Sequence, residues 1–182
     1  GAALPKQLSL EGSLEGAIGF SRDAGLQGQV LVRDVSVSAP DAPELKIEHA
    51  RIEVDRDRVH AAPFTIETGA GRAAQVEADF RTGAQTLEVL VATRGLAAGD
   101  LRSASEKMFG APPIPLLAAC EDGTWKGWVR YRREGAAEGL WTGAVELLGV
   151  KLAVDGLSES VLLHSASAQI DGGKLVLSRL RA

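Results

Sequence analysis

The chain has 182 residues, enough for one domain, or two small ones fused through a shared sheet, and enough to bury a sizeable core. Hydrophobic residues make up 45% of it but aromatics only 4%, so the apolar mass is Val, Leu, Ile and Ala and the interior is expected to be thin and aliphatic. A net charge of −4 with the two signs interspersed argues against a nucleic-acid surface, and the single cysteine, Cys120, excludes an internal disulfide and a multi-cysteine metal site.

No apolar run approaches the roughly 20 residues that a membrane-spanning helix needs. The longest, Ile114 to Cys120, is short and set among prolines. The opening Gly1-Ala-Ala-Leu-Pro-Lys6 lacks the basic region and apolar stretch of a signal peptide. The abrupt start at Gly1 and finish at Ala182 read as those of a piece of a longer protein.

Short alternating runs punctuated by Gly, Asp and Pro predict strands along most of the chain. The first runs from Leu14 to Phe20 and turns at Ser21–Gly25. In the second, Leu26, Gly28, Val30 and Val32 share one parity, while Val35 and Val37 take the other. A β-bulge near Asp34 produces such a switch, because one extra residue moves later side chains to the opposite face. Ala39-Pro-Asp-Ala-Pro43 breaks the sheet. The third strand carries Leu45 and Ile47, then Ala50, Ile52 and Val54, with another parity shift around His49. Asp55-Arg-Asp-Arg58 is a tight polar turn into Val59–Thr68. Gly69-Ala-Gly71 leads to Ala74–Phe80, and Arg81-Thr-Gly83 turns the chain into Leu87–Val91. Loops this short make neighbouring strands antiparallel.

One helix is expected over Ala98–Phe109, with Asp100 near its positive end and Leu101, Ala104, Ser105 and Met108 along one face. Gly110 and Pro112-Pro113 stop it. Thr124–Arg133, Leu140–Val154, Ser160–Ile170 and Lys174–Leu180 complete the strands, the last pair joined by the hairpin turn Asp171-Gly-Gly173. The expected fold is mainly β: a twisted, curved antiparallel meander of about ten strands, groove-like or sandwich-like, with one connecting α-helix. The first β unit covers 1–94, the helical connector 95–112 and the second β unit 113–182. Such a sheet is wet on one side and must curl, stack or cover its apolar face.

The two units echo each other. Gly12-Ser-Leu-Glu-Gly16, followed by Phe20 and then Gly25-Leu-Gln-Gly28-Gln-Val30, returns as Gly123-Thr-Trp-Lys-Gly127, followed by Tyr131 and then Gly139-Leu-Trp-Thr-Gly143-Ala-Val145. The offset is 111 residues at the start (123 − 12) and 115 at the end (143 − 28), most of the difference being an insert at Gly135–Glu138. Val35 and Val37 match Val150 and Leu152, and Leu45 and Ile47 match Val161 and Leu163. Two copies of one β unit follow from this.

These signals resemble the AsmA-like family of Gram-negative envelope proteins. The resemblance rests on the G-x-L-x-G-type opening of each unit, Gly12–Gly16 and Gly123–Gly127, and on a hydrophobic-Gly-x-Val strand followed by a Val-x-Val or Val-x-Leu strand. A third element is Leu87–Leu101, where a strand runs into Gly95-Leu-Ala-Ala-Gly-Asp-Leu101 and a helix. It implies a strongly twisted repeating sheet shaped as a groove, a role in moving or organising lipids between inner and outer membranes, and a periplasmic location. Family members usually carry an N-terminal transmembrane anchor, so the parent chain is expected to sit in the inner membrane; this sequence has no such segment. The resemblance brings no catalytic residues and no cofactor.

Few residues invite chemistry. His49, His60 and His164 are the only histidines, and solvated or edge positions explain them better than a metal site, which needs convergent ligands at fixed spacing. Asp55 and Asp57 alternate with Arg56 and Arg58 as a salt-laced hairpin tip rather than a calcium loop. Cys120 has neither a neighbouring histidine nor an electropositive setting and reads as a buried inert thiol. No Gly-x-Ser-x-Gly elbow or phosphate-binding glycine loop is present, so a non-enzymatic protein is expected.

Trp125, Trp128 and Trp141 all fall in the second unit. Trp125 shares a parity with Gly127, Val129 and Tyr131, Trp128 takes the other, and Trp125 or Trp128 is placed to stack across the hairpin on Trp141. Two readings stand: a cross-strand cluster capping the sheet, or an aromatic platform at a groove mouth or bilayer surface. The candidate lipid-contact strip is Val35, Val37, Leu45 and Ile47 in the first unit and Val150, Leu152, Val154, Val161 and Leu163 in the second. There Val145 and Leu147 are expected on one side, and Val150, Leu152 and Val154 on the other if a bulge intervenes near Gly149. The expected partners are phospholipid or other acyl chains and neighbouring repeats of a longer parent chain. The alternative is a structural β-repeat module whose apolar faces only pack on each other.

Overall fold

The structure is a computed structural model that describes residues 9–38, 44–68, 72–100, 120–152, 159–172 and 174–181, the side chain of Glu121 excepted. Alternating sequence yields ten strands: β1 (Ser9–Ser21), β2 (Gly25–Ser38), β3 (Leu45–Asp55), β4 (Arg58–Thr68), β5 (Ala73–Arg81), β6 (Thr86–Ala97), β7 (Cys120–Glu134), β8 (Leu140–Leu152), β9 (Val161–Asp171) and β10 (Lys174–Arg181). They form one antiparallel sheet in the order β1 to β10, so each strand pairs only with its neighbours in sequence. The sheet does not close into a barrel. β1 begins before Leu14 and β7 before Thr124, while β6 continues through Gly95 to Ala97, beyond the expected end of the first unit. Residues 98–100 are helical; Leu101, Ala104, Ser105 and Met108, and the rest of the expected helix, lie outside the described residues.

The hairpin turns line up along one end of the sheet and are tied to one another by backbone hydrogen bonds. Arg56 N donates to Leu26 O at 2.6 Å, Thr82 N to Asp57 O at 2.7 Å, Gly135 N to Gln85 O at 3.0 Å and Gly172 N to Trp141 O at 2.8 Å. The Asp55–Arg58 tip joins the next hairpin through side chains too, since Arg58 Nε donates to Asp79 Oδ2 at 2.6 Å. These ties satisfy turn groups that would otherwise need water.

Bulges account for the parity switches at Asp34 and Gly149, whereas the β2–β3 register runs through His49 without a shift. Between β1 and β2, Gly12 alone stands opposite Asp34 and Val35, and Asp34 has a left-handed φ of 50°. Between β7 and β8, Gly123 alone stands opposite Gly149 and Val150, and Gly149 has φ 59°. The extra residue reverses parity, so apolar side chains on both sides of the bulge stay on one face. This corrects one expectation: Val145 and Leu147 do not lie opposite Val150 and Leu152, but share one buried cluster with them. In the same way Val32, before the first bulge, packs with Val35, after it.

The two halves of the sheet hold different amounts of core. The second half buries a cluster that runs from Leu96 and Ala98 through Trp125, Val129, Leu147 and Val150 to Ile170. The first half buries only Val32, Val35 and Ala50 together, with Val37, Ile47, Ile52 and Phe64 partly covered around them. All thirteen residues of β1 are exposed.

Candidate functional site: one aliphatic face, covered at one end

Strand register brings the candidate strip together within each unit. Val35 is the partner of Ile47 and Val37 of Leu45 across β2 and β3. Val150 is the partner of Leu163 and Leu152 of Val161 across β8 and β9. The expected matching of the two copies is thus reproduced pair for pair. Val154 lies outside the described residues. Cover along the strip is mixed in both units: Val35 and Leu45 are buried with Val37 and Ile47 half-buried, and Val150, Leu152 and Leu163 are buried with Val161 half-buried.

The repeat allows a like-for-like comparison of positions 111 residues apart. Leu14 in β1 is 68% exposed, and its counterpart Trp125 in β7 is 2% exposed. Ile18 is 51% exposed against 1% for Val129. In β7 these side chains pack with Leu96 and Val91 of β6 and with the wall of β8 and β9. Among the described residues β1 has no strand on its outer side, and Leu10, Leu14, Ile18 and Phe20 stand in a row on its apolar face. No local pattern in the sequence reveals which copy is covered, because that depends on the neighbouring strands.

The aromatic residues part company. The partner of Trp141 is neither Trp125 nor Trp128: the ring of Tyr131, directly opposite it in the β7–β8 register, lies 5.0 Å away at 48°. Trp125 is sealed in the core. Trp128 is on the opposite, solvent-facing side, with the Arg130 guanidinium 6.0 Å from its ring centroid. The three tryptophans therefore do not form one platform. Among the described residues, Trp125 Nε1 and Trp141 Nε1 are buried with no hydrogen-bond partner. That costs free energy in an aliphatic interior, on the order of 1–3 kcal/mol for each such group.

Charged residues occupy the other face, as the alternation requires. Lys126 Nζ sits 2.8 Å from Glu146 Oε2, and the lysine holds that carboxyl below its ordinary range. Ser36 Oγ donates to Glu44 Oε1 at 2.6 Å and lowers that carboxyl in the same sense. An open depression of about 450 Å³ at the β6–β7 bulge is lined by Thr93, Arg94, Lys126 and Gly127. His49 and His164 are exposed on β3 and β9, while His60 Nδ1 lies 3.4 Å from Asp79 Oδ2 without a hydrogen bond. Cys120 is buried where β7 begins, at the partner position of Leu152. Among the described residues no helix is long and apolar enough to cross a membrane. Comparisons with protein-family models, curated proteins and solved structures find no match to the chain.

Proposed function

We propose that the protein is a non-enzymatic lipid-handling module of a bacterial envelope protein, whose apolar sheet face shields acyl chains in the periplasm during intermembrane transport or outer-membrane maintenance. The observation that carries this reading is the uneven cover of one continuous face. The same repeat positions are sealed in β7 and bare in β1, so the first unit presents aliphatic surface that its counterpart in the second unit covers. Each methylene withdrawn from water there is worth roughly 0.8 kcal/mol, so an acyl chain lying along Leu14, Ile18, Val37 and Ile47 gains several kcal/mol without any head-group contact. The envelope location and the inner-membrane anchor of a longer parent chain come from the AsmA-like resemblance alone.

A second reading is a structural β-repeat with a filled core and no lipid. The complete burial of Val150 and Leu147 favours it for the second unit. Mass spectrometry of organic extracts from the purified, folded protein separates the two. Copurifying phospholipid, lost when Ile18 is changed to Asp, is the outcome the lipid reading expects. A clean extract from a folded sample sinks it and leaves the structural module.

A further inference from the structure

Among the described residues, neither margin of the sheet is paired where the internal repeat shows a partner. β1 corresponds to β7, and the outer side of β7 is paired with β6 along Thr86–Ala97. β10 corresponds to β4, and the outer side of β4 is paired with β5. Among the described residues, β1 and β10 have no strand on those sides. Natural sheets protect such margins with proline, inward-pointing charge or very short strands. β1 has none of these: it is thirteen residues long, carries no proline or lysine, and directs its charged side chains away from the apolar face.

The two margins also suit each other. The only charged residues of β1 are Glu11 and Glu15, in its N-terminal half; those of β10 are Lys174, Arg179 and Arg181, two of them at its C-terminal end. In a meander of this order, β1 and β10 run in opposite directions when the apolar faces are aligned. Placed side by side, Arg179 and Arg181 then meet the Glu11–Glu15 half of β1.

From this we infer that the outer edge of β1 takes the outer edge of β10 from a second copy of the chain, as an antiparallel ladder that continues the sheet from one molecule into the next. The main-chain groups supply the pairing, and the opposite charges fix its direction and register. Because the two edges are different surfaces, the contact is head-to-tail and does not close on itself as a two-fold dimer does. Successive copies extend one apolar face. The inference stands independently of whether that face holds lipid.

Sedimentation velocity on the 182-residue chain, across a wide range of concentration, tests it. The average mass should climb past two copies with rising concentration. Glu11→Lys with Glu15→Lys gives a molecule with two basic edges, and Lys174→Glu with Arg179→Glu and Arg181→Glu gives one with two acidic edges. Each variant alone should associate roughly a hundredfold more weakly or worse, because like charges then face each other. An equimolar mixture of the two should associate again. All these changes are at exposed positions, and circular dichroism checks that the variants fold. A second readout does not rely on charge reversal: Glu11→Cys and Arg181→Cys molecules, mixed under mild oxidation, should form the mixed disulfide faster than either forms its own. A protein that stays monomeric at every concentration overturns the inference, as it would if the same polypeptide covered its own edges. Assembly that stops at two copies, or that both charge variants leave unchanged, overturns it equally.

Discussion

Gly12 and Gly123 hold the same station in two strands. A Cβ added to either would fall 2.6 or 2.5 Å from Cγ2 of the valine opposite, Val35 or Val150, and both glycines have positive φ, 137° and 111°. The valine comes forward because the bulge residue before it, Asp34 or Gly149, bends its strand toward the glycine. Local geometry has been kept in both copies even though the strand that carries Gly12 is exposed throughout and the one that carries Gly123 is packed into a core.

Gly123→Ala should therefore cost roughly 1–3 kcal/mol, from strain at φ and from displacement of the wholly buried Val150. Gly12→Ala meets the same obstacle in a strand that has little to lose. It should detach β1 locally, seen as faster amide exchange there, and barely change the melting temperature followed by circular dichroism. Equal losses of melting temperature for the two variants would mean that β1 belongs to the same cooperative core as β7.

Leu147 and Leu14 set filled core against open face. Leu147 has no exposed surface, so Leu147→Ala should destabilise by about 2–5 kcal/mol through lost contacts and a residual cavity. Leu14→Ala should change stability within about 0.5 kcal/mol, the usual range for an exposed site. Urea unfolding of both variants gives the comparison. A large loss at Leu14 would show that its side chain is covered in solution.

The acid limb of stability should report Asp79. Burial pushes its carboxyl up, but the hydrogen bond and charge of Arg58, with Arg81 and His60 nearby, outweigh burial and hold it below the usual range. The unfolded carboxyl titrates near ~3.9, so this contribution is complete above that pH and is lost as pH falls through the lower folded value. Asp79→Asn should lower stability at neutral pH and flatten the decline below about pH 4. Urea midpoints measured from neutral to acid pH decide it; a parallel acid limb in the variant would assign the decline to other carboxylates.

The tryptophans give an optical test. Trp125 is buried among aliphatic side chains and Trp128 is 42% exposed, so a soluble quencher should reach Trp128 first. Trp128→Phe should shift the emission to the blue and remove most of the quenching, with stability little changed. A double-mutant cycle on Tyr131 and Trp141 should give a coupling of about 0.5–1.5 kcal/mol for the tilted ring pair. No measurable coupling would mean that the rings are side by side without interacting.

Much of the architecture could be read from alternation and turns. The ten strands, their antiparallel order and the bulges at Asp34 and Gly149 follow from period-two runs that change parity at one residue. The same parity change is misleading as a sign that Val150 and Leu152 point away from Val145, because a bulge that flips the count also keeps the face. The ring facing Trp141 was missed for a different reason. Parity assigns a side chain to a face, but its cross-strand partner depends on register, and the five-residue connection at 135–139 does not fix register as a two-residue turn does. The candidate strip assembled pairwise as read, yet its cover is a property of what lies beside β1 and β7. Amino-acid type along one strand carries no record of that.

Every ladder in the sheet joins strands adjacent along the polypeptide, so no strand has to wait for a distant one before it can pair. A chain emerging from a ribosome or a translocation pore can lay down β2 on β1, then β3 on β2, most additions closing only a short loop; the exception is β7 on β6, which spans residues 98–119, and because closure entropy grows slowly with length its extra cost is modest. The growing margin offers the next strand a ready template at every step. Length can then change by whole hairpins, added or deleted, without any rewiring of the strands already in place.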